Sequence, residues 1–226
     1  MSSFLSLYRS AIGKKAIMAI TGLALFGFVL VHMLGNLKLY QGPEKINAYG
    51  EWLREVGSPA IPHEGLLWMA RLVLLGAVGL HILSATQLTL INLRARPKDY
   101  RDREAIQATY ASRTMRWGGV IIALFVVYHL AHFTWGSVHP DFIPGDVYHN
   151  VVSGFQVWWV SAFYILAQIA LGFHLSHGLW SMFQSLGWWH SEADRDWRRT
   201  FAVTFALVIT LGNISFPLAV LAGFVS

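Results

Sequence analysis

The chain has no cysteine. Disulfides, thiolate-held iron–sulfur clusters, covalent c-type haem and thiolate nucleophiles are therefore excluded. Charge is also scarce, with 12 acidic and 17 basic residues in 226. No acidic residue falls near the middle of a long apolar run. That leaves no carboxylate for a di-iron site or for the usual intramembrane proton carrier. No Gly-x-Gly-x-x-Gly follows a strand pattern and no P-loop sequence occurs, so neither a nucleotide nor a flavin fold is visible. Any redox chemistry done with this chain needs its flavin or clusters on other subunits.

What is present is apolar: 55% of the residues are hydrophobic. Five long apolar runs cover residues 14–40, 66–93, 117–136, 157–187 and 200–225. Each approaches or exceeds the about 20 residues that a spanning helix requires. The expectation is an all-α integral membrane protein, a five-helix bundle forming one domain over 1–226, with no room for a second. The first run follows Lys14 and Lys15 and mimics a signal peptide. It is too long for the apolar core of one and lacks a small-residue cleavage site, so it reads as a retained helix. Between the first two runs, Gly42-Pro43, Pro59 and Pro62 break a polar loop, and Glu44–Val56 suits a short amphipathic surface helix. Ser137–Gly154 reads as a loop, and Trp188–Arg199 as a charged amphipathic connection.

Lys and Arg gather at the N-terminus, in the stretch Arg94, Arg96, Lys98, Arg101, Arg103, Arg113 and Arg116, and at Arg195–Arg199. The loop at 40–64 has few and Ser137–Gly154 has none. The positive-inside rule places the N-terminus in the cytoplasm and the C-terminus outside. The net charge of +5 is thus explained by topology, with no nucleic-acid partner. Trp68, Trp135, Trp158, Trp159, Trp188 and Trp189 fall near run ends, where an interfacial aromatic belt belongs.

Four of the five runs carry histidine: His32 in the first, His81 in the second, His129 and His132 in the third, His174 and His177 in the fourth. An ionisable side chain at bilayer depth is costly and marks a ligand site or an ion path. With the orientation above, His32 and His129 lie about seven residues, roughly 10 Å, from the outer end of their helices. His81 and His174 lie about 17 residues, roughly 25 Å, below that end. The histidines thus form two layers, the upper from the first and third helices, the lower from the second and fourth. His132 and His177 are each one turn from their neighbours, and spacing does not choose between them. Two opposed imidazoles at one depth, without carboxylate or thiolate, suit the axial positions of a b-type haem. A tetrahedral zinc site would ask for three or four ligands in one layer. Gly76 and Gly79 near His81, Gly172 and Gly178 near His174, and Gly118 and Gly119 opening the third run offer the low side-chain volume that a flat cofactor needs. The alternatives are histidines that merely hydrogen-bond between helices, and a histidine proton path in a haem-free transporter, which would usually add intramembrane Asp or Glu.

Gly13-Lys14-Lys15 through Thr21-Gly22-Leu23 to His32-Met33-Leu34-Gly35-Asn36, then Asn47–Arg54, then Phe173-His174 with Gly178-Leu179-Trp180, resemble the cytochrome b membrane anchor of succinate dehydrogenase and fumarate reductase, in its single-chain, five-helix, two-haem form. The resemblance covers essentially the whole chain. It implies two haem b groups, the outer (distal) one ligated by His32 and His129 and the inner (proximal) one by His81 and His174, with His132 and His177 not ligands. It implies flavoprotein and iron–sulfur partner subunits docked on the cytoplasmic face, where the Arg94–Arg116 stretch lies. Electrons would pass through the haems to or from a membrane quinone, menaquinone or ubiquinone, bound towards the outer face near the distal haem. The setting implied is a bacterial-type respiratory complex II of the tricarboxylic acid cycle in the cell inner (plasma) membrane, open to higher oligomers. Arg71, Ser84, His132, Ser176 and His177 become candidates for haem propionates or for orienting the ligands. Some members use an outer-loop glutamate as a proton acceptor, for which Glu51 and Glu55 are the nearest positions. A cytochrome b subunit of a hydrogenase or formate dehydrogenase has the same raw ingredients, but its motifs are not matched.

Overall fold

Ser10 starts the first helix: its hydroxyl accepts from the Gly13 amide at 2.9 Å, satisfying one of the amide donors left over at any helix N-terminus. The computed structural model describes residues 10–94, 110–188 and 192–226. Among them are seven α-helices and no strand: α1 Ala11–Asn36, α2 Pro43–Glu55, α3 Gly65–Arg94, α4 Tyr110–Phe133, α5 Val147–Gln156, α6 Trp158–Ser185 and α7 Glu192–Leu221. A 3₁₀ turn over Leu37–Gln41 links α1 to α2. Gly42, at φ 92°, makes the corner that an L side chain would strain, and Pro43 then opens α2 at the position where its missing N–H costs nothing. The Arg94–Arg116 basic stretch lies mostly outside the described residues, as does Trp189.

Five helices, α1, α3, α4, α6 and α7, are long and apolar enough to cross a membrane. Their ends differ from the hydropathy boundaries. Helix α4 begins at Tyr110 rather than near 117, and α7 at Glu192 rather than 200. Hydropathy marks where lipid contact stops, whereas backbone hydrogen bonding continues through charged residues beyond it. Residues 147–156, expected as loop, form α5 instead. Asp146 caps it, its carboxylate accepting from the His149 amide at 3.0 Å.

Helices α2 and α5 lie together at one end of the bundle, and the chain terminus joins them where the Tyr148 hydroxyl donates to the Ser226 carbonyl at 3.2 Å. Asn47 of α2 clasps the start of α5. Its amide donates to Asp146 Oδ1 and its carbonyl accepts from the Tyr148 amide, both at 3.0 Å. The largest apolar cluster sits at this end, with Leu39, Ile46, Phe125, Phe155, Tyr164 and Phe216 among its members.

Helices α1, α6 and α7 pack against one another as the centre of the bundle; α3 flanks α1 and α4 flanks α6. Among the described residues, no extended packing joins α3 to α6, α3 to α4, or α1 to α4. A slot therefore lies between α3 and α4, closed along one side where α1 packs on α6. Outward faces are apolar, as lipid contact demands: Leu72, Val73, Leu75 and Leu124 are all exposed. Trp68, Trp135, Trp158 and Trp159 are exposed at the α2/α5 end, and Trp117, Trp188 and Trp197 at the other, the arrangement of two interfacial belts.

Candidate functional site

Both histidine pairs bridge the slot. The rings of His32 on α1 and His129 on α4 stand 5.9 Å apart, centre to centre, at 82°. Those of His81 on α3 and His174 on α6 stand 6.3 Å apart at 60°. Each pair therefore connects two helices that do not otherwise pack along their length. Tyr164 meets His129, and His174 lies ten residues further along α6, so the two pairs are about 15 Å apart. His132 and His177 do not face across the slot in this way. His132 packs on Tyr128, at 5.5 Å and 18°, and on His139, at 4.7 Å and 24°. His177 lies 6.1 Å from the Trp180 ring.

The surroundings of each imidazole differ. His81 Nδ1 lies 3.1 Å from the Met18 carbonyl oxygen. That oxygen only accepts, so Nδ1 carries the proton and Nε2 is left with a lone pair. The Thr21 hydroxyl donates to the Ile17 carbonyl at 2.7 Å and lies 3.2 Å from the same Nδ1, offering a second acceptor. Gly22 makes this approach possible. A Cβ there would stand 3.3 Å from His81 Cε1, so α1 presents bare backbone to the ring. His129 Nδ1 lies 3.4 Å from the Tyr164 hydroxyl, which lies 3.1 Å from His132 Nδ1. His174 Nδ1 is buried without a hydrogen-bond partner. His32 stacks on Phe28 at 5.4 Å, and its Nε2 lies 3.4 Å from the Asn36 amide nitrogen.

A buried polar cluster rises from Tyr164 towards the α2/α5 end. His132 is 1% exposed and His139 6%. His139 donates through Nε2 to the Asn150 carbonyl at 2.9 Å and accepts through Nδ1 from the Asp141 amide at 3.2 Å. At the rim, His149 Nε2 lies 2.9 Å from Asp141 Oδ2. Gly154 of α5 seats this stack from above. A Cβ on it would come 2.9 Å from His132 Cε1 and 3.1 Å from His139 Nε2.

The remaining sequence candidates are placed as follows. Arg71 lies over the Trp68 ring at 4.8 Å and 3.9 Å from Glu64 Oε2, at the α2/α5 end of α3. Ser84 is 2% exposed, one turn beyond His81. The Ser176 hydroxyl is exposed and donates to the Phe173 carbonyl at 3.0 Å. Glu51 pairs with Arg54 at 3.0 Å and Glu55 with His63 at 3.3 Å, both glutamates well exposed. Open space adjoins Gly76, Gly79, Gly118 and Gly178. Gly172 does not belong with them. A Cβ there would run into Thr210 of α7, so this glycine serves close helix packing, because small residues let helix backbones approach.

Sequence reading missed Tyr164, Met18, Thr21 and Gly154 as parts of the site. Tyr164 did carry a signal, since a phenol inside an apolar run needs a partner for its hydroxyl. The Met18 carbonyl and Gly154 carried none, because backbone acceptors and cross-chain approach are settled only by the tertiary fold.

No curated protein and no solved structure matches the chain. Residues 96–214, more than half of the chain, match the family described as succinate dehydrogenase/fumarate reductase transmembrane subunit. With five membrane-length apolar helices around a histidine-bridged slot, the chain belongs to the family of transmembrane subunits of succinate dehydrogenase and fumarate reductase.

Proposed function

We propose that this chain, as one membrane domain over residues 1–226, anchors the complex and carries electrons between its iron–sulfur subunit and a quinone, using two b haems. The upper haem is held by His32 and His129 and the lower by His81 and His174. The reading is carried by the two imidazole pairs, each spanning helices that do not pack together. Two imidazoles bonded to opposite sides of one metal at about 2 Å, with each nitrogen about 1.15 Å from its ring centre, put the ring centres about 6.3 Å apart. The observed 5.9 and 6.3 Å suit that spacing. Among the described residues no cluster of three or more His, Cys, Asp or Glu could hold a metal alone. Two imidazoles per layer fit a metal that would bring further donors of its own, as haem would.

Bound there, each haem would supply one-electron transfer. The protein's part is positioning. The Met18 carbonyl fixes the His81 tautomer, so that Nε2 is the nitrogen offered. Tyr164 holds Nδ1 of His129. On the His32 side, the Asn36 amide must yield Nε2 to the metal. Ser84 and His177 remain beside the lower pair. Arg71 lies at the opposite end from it, and Glu51 and Glu55, in solvated ion pairs at that end, are the candidates for a proton acceptor on the quinone side.

In this reading the N-terminus lies in the cytoplasm of a bacterial-type cell, with flavoprotein and iron–sulfur subunits on that face and menaquinone or ubiquinone towards the upper haem; the distribution of Lys and Arg supports that orientation. Family membership turns the reading away from a hydrogenase or formate dehydrogenase cytochrome b and from a haem-free transporter.

The test is haem content of the purified complex. Two b haems per chain are expected, with one lost in His81→Ala and in His174→Ala, and both kept in His177→Ala. A folded complex without haem overturns the function. Loss of a haem in His177→Ala, with both kept in His174→Ala, overturns the lower ligand pair.

A further inference from the structure

We infer that Tyr164 sets the redox potential of the upper haem by accepting a hydrogen bond from its ligand His129, and that His132 polarises that tyrosine. The inference rests on the ligation proposed above and goes beyond it by giving the site a polarity. A neutral imidazole bonded to metal through Nε2 carries its proton on Nδ1. His129 Nδ1 lies 3.4 Å from the Tyr164 oxygen, so His129 donates and Tyr164 accepts. The single tyrosine proton is then free for His132 Nδ1 at 3.1 Å. The chain has one consistent direction, from His129 N–H to Tyr164 O–H to His132 Nδ1.

The direction has an electronic consequence. A phenol that donates to a histidine becomes a better acceptor, since hydrogen bonds in a chain polarise one another at low dielectric. A stronger acceptor draws the Nδ1 proton and pushes electron density through the imidazole to the metal. That favours the oxidised metal and lowers its potential, the lever that partners of metal-bound histidines supply. The partners are well fixed. Tyr164 is 5% exposed and His132 1%. His132 is stacked with Tyr128 and with His139, and Gly154 leaves no space above it. The lower pair has no such phenol: His81 donates to a backbone carbonyl, and His174 Nδ1 has no partner. The four imidazoles are therefore unequal, and among the described residues only His129 of the upper pair has such a phenol.

The experiment is a redox titration of the whole complex, with haem content and low-spin haem EPR signals recorded for each variant. Tyr164→Phe keeps the ring and removes only the hydroxyl. It should keep both haems and raise the reduced-to-oxidised ratio of the upper haem about fivefold at fixed ambient potential, a shift of about 40 mV at 59 mV per tenfold. The lower haem should not move, and the upper haem's EPR signal should shift. His132→Phe, which preserves the ring stack, should shift the upper haem in the same direction by less. It should add nothing when combined with Tyr164→Phe, because the two act in series. An unchanged upper potential in Tyr164→Phe with both haems bound overturns the inference, and so does full additivity of the two substitutions. Loss of the upper haem in Tyr164→Phe also overturns it, showing the hydroxyl to be needed for binding and not for tuning. Failure of the underlying ligation is recognised separately: a wild-type complex without haem, or one that keeps both haems in His129→Ala.

Discussion

Replacing Gly154 by alanine should destabilise the α2/α5 end of the bundle, against the usual effect of that substitution inside a helix. In a helix interior, Gly→Ala normally stabilises by about 0.5–1 kcal/mol. Here the new methyl would stand 2.9 Å from His132 Cε1 and 3.1 Å from His139 Nε2, tighter than ordinary carbon contacts of about 3.5–4.0 Å. Neither ring can step aside at little cost. His132 is stacked with Tyr128 and with His139 and bonded to Tyr164. His139 is tied at both nitrogens to Asn150 and Asp141. Overpacking of this kind costs about 1–3 kcal/mol, so the net loss is about 1 kcal/mol. For a chain of this size that is a fall in Tm of about 2–4 °C. The assay is thermal unfolding of the purified protein in detergent, followed by circular dichroism. Gly50→Ala is the control, because its Cβ would meet Val147 Cγ2 at 3.4 Å, at the edge of ordinary contact and against the tip of one side chain, and it should be neutral or stabilising. Adding His139→Ala to Gly154→Ala should recover part of the strain. A Gly154→Ala protein as stable as wild type would refute the rigid stack, and with it the fixed position of His132.

Asn47→Ala removes both hydrogen bonds that join α2 to the start of α5; at about 1 kcal/mol each, amides at the α5 N-terminus should exchange roughly tenfold faster or more, and unchanged exchange would refute the clasp. The Asp146 carboxyl is held below the ordinary aspartate value of 3.8 by the His149 amide first and the Asn47 side chain second. A depressed folded-state pKa contributes stability above the unfolded value and loses it as pH falls through the folded one, so α5 should fray below about pH 4 and not between pH 5 and 8. Hydrogen exchange at α5 that does not change down to pH 2 would contradict this. Thr21→Val removes one of two acceptors beside His81 Nδ1 while keeping side-chain shape; lower-haem retention in a detergent wash should fall about fivefold, on the basis of about 1 kcal/mol for one hydrogen bond. Retention equal to wild type would assign the whole task to the Met18 carbonyl.

The membrane helices were legible because lipid asks for mostly apolar outward faces and for every backbone group to be bonded internally. The second and fourth runs match α3 and α6 to within two residues at each end. Helix α5 was hidden because it lies outside lipid, between Pro144-Gly145 and a chain reversal at Val157, where composition reads as loop. The two histidine layers were legible from counting along helices, and the rings do stand opposite one another. Which histidine of each near pair faces across was not. His129 and His132 differ by three residues, and only the partners on α6 and α5 decide that one faces the slot and the other Tyr164. Gly76, Gly79, Gly118 and Gly178 border open space whereas Gly172 meets Thr210, because a small residue that leaves room and one that admits a neighbouring helix look alike in sequence.

The slot has a thermodynamic consequence. Helix α3 packs along α1 and touches the end of α2, but has no extended packing with α4 or α6; its approach to α6 is at the histidines. The two sides are joined where α1 packs on α6 and α7, and what lies in the slot adds to that closure where α3 and α4 do not meet. Any occupant that binds only the closed form adds RT ln(1 + [L]/Kd) to its stability, about 2.7 kcal/mol at a hundredfold excess over Kd. The melting temperature should therefore report how full the slot is. In a cell short of the occupant, the same linkage would let quality control tell empty chains from filled ones by their stability alone.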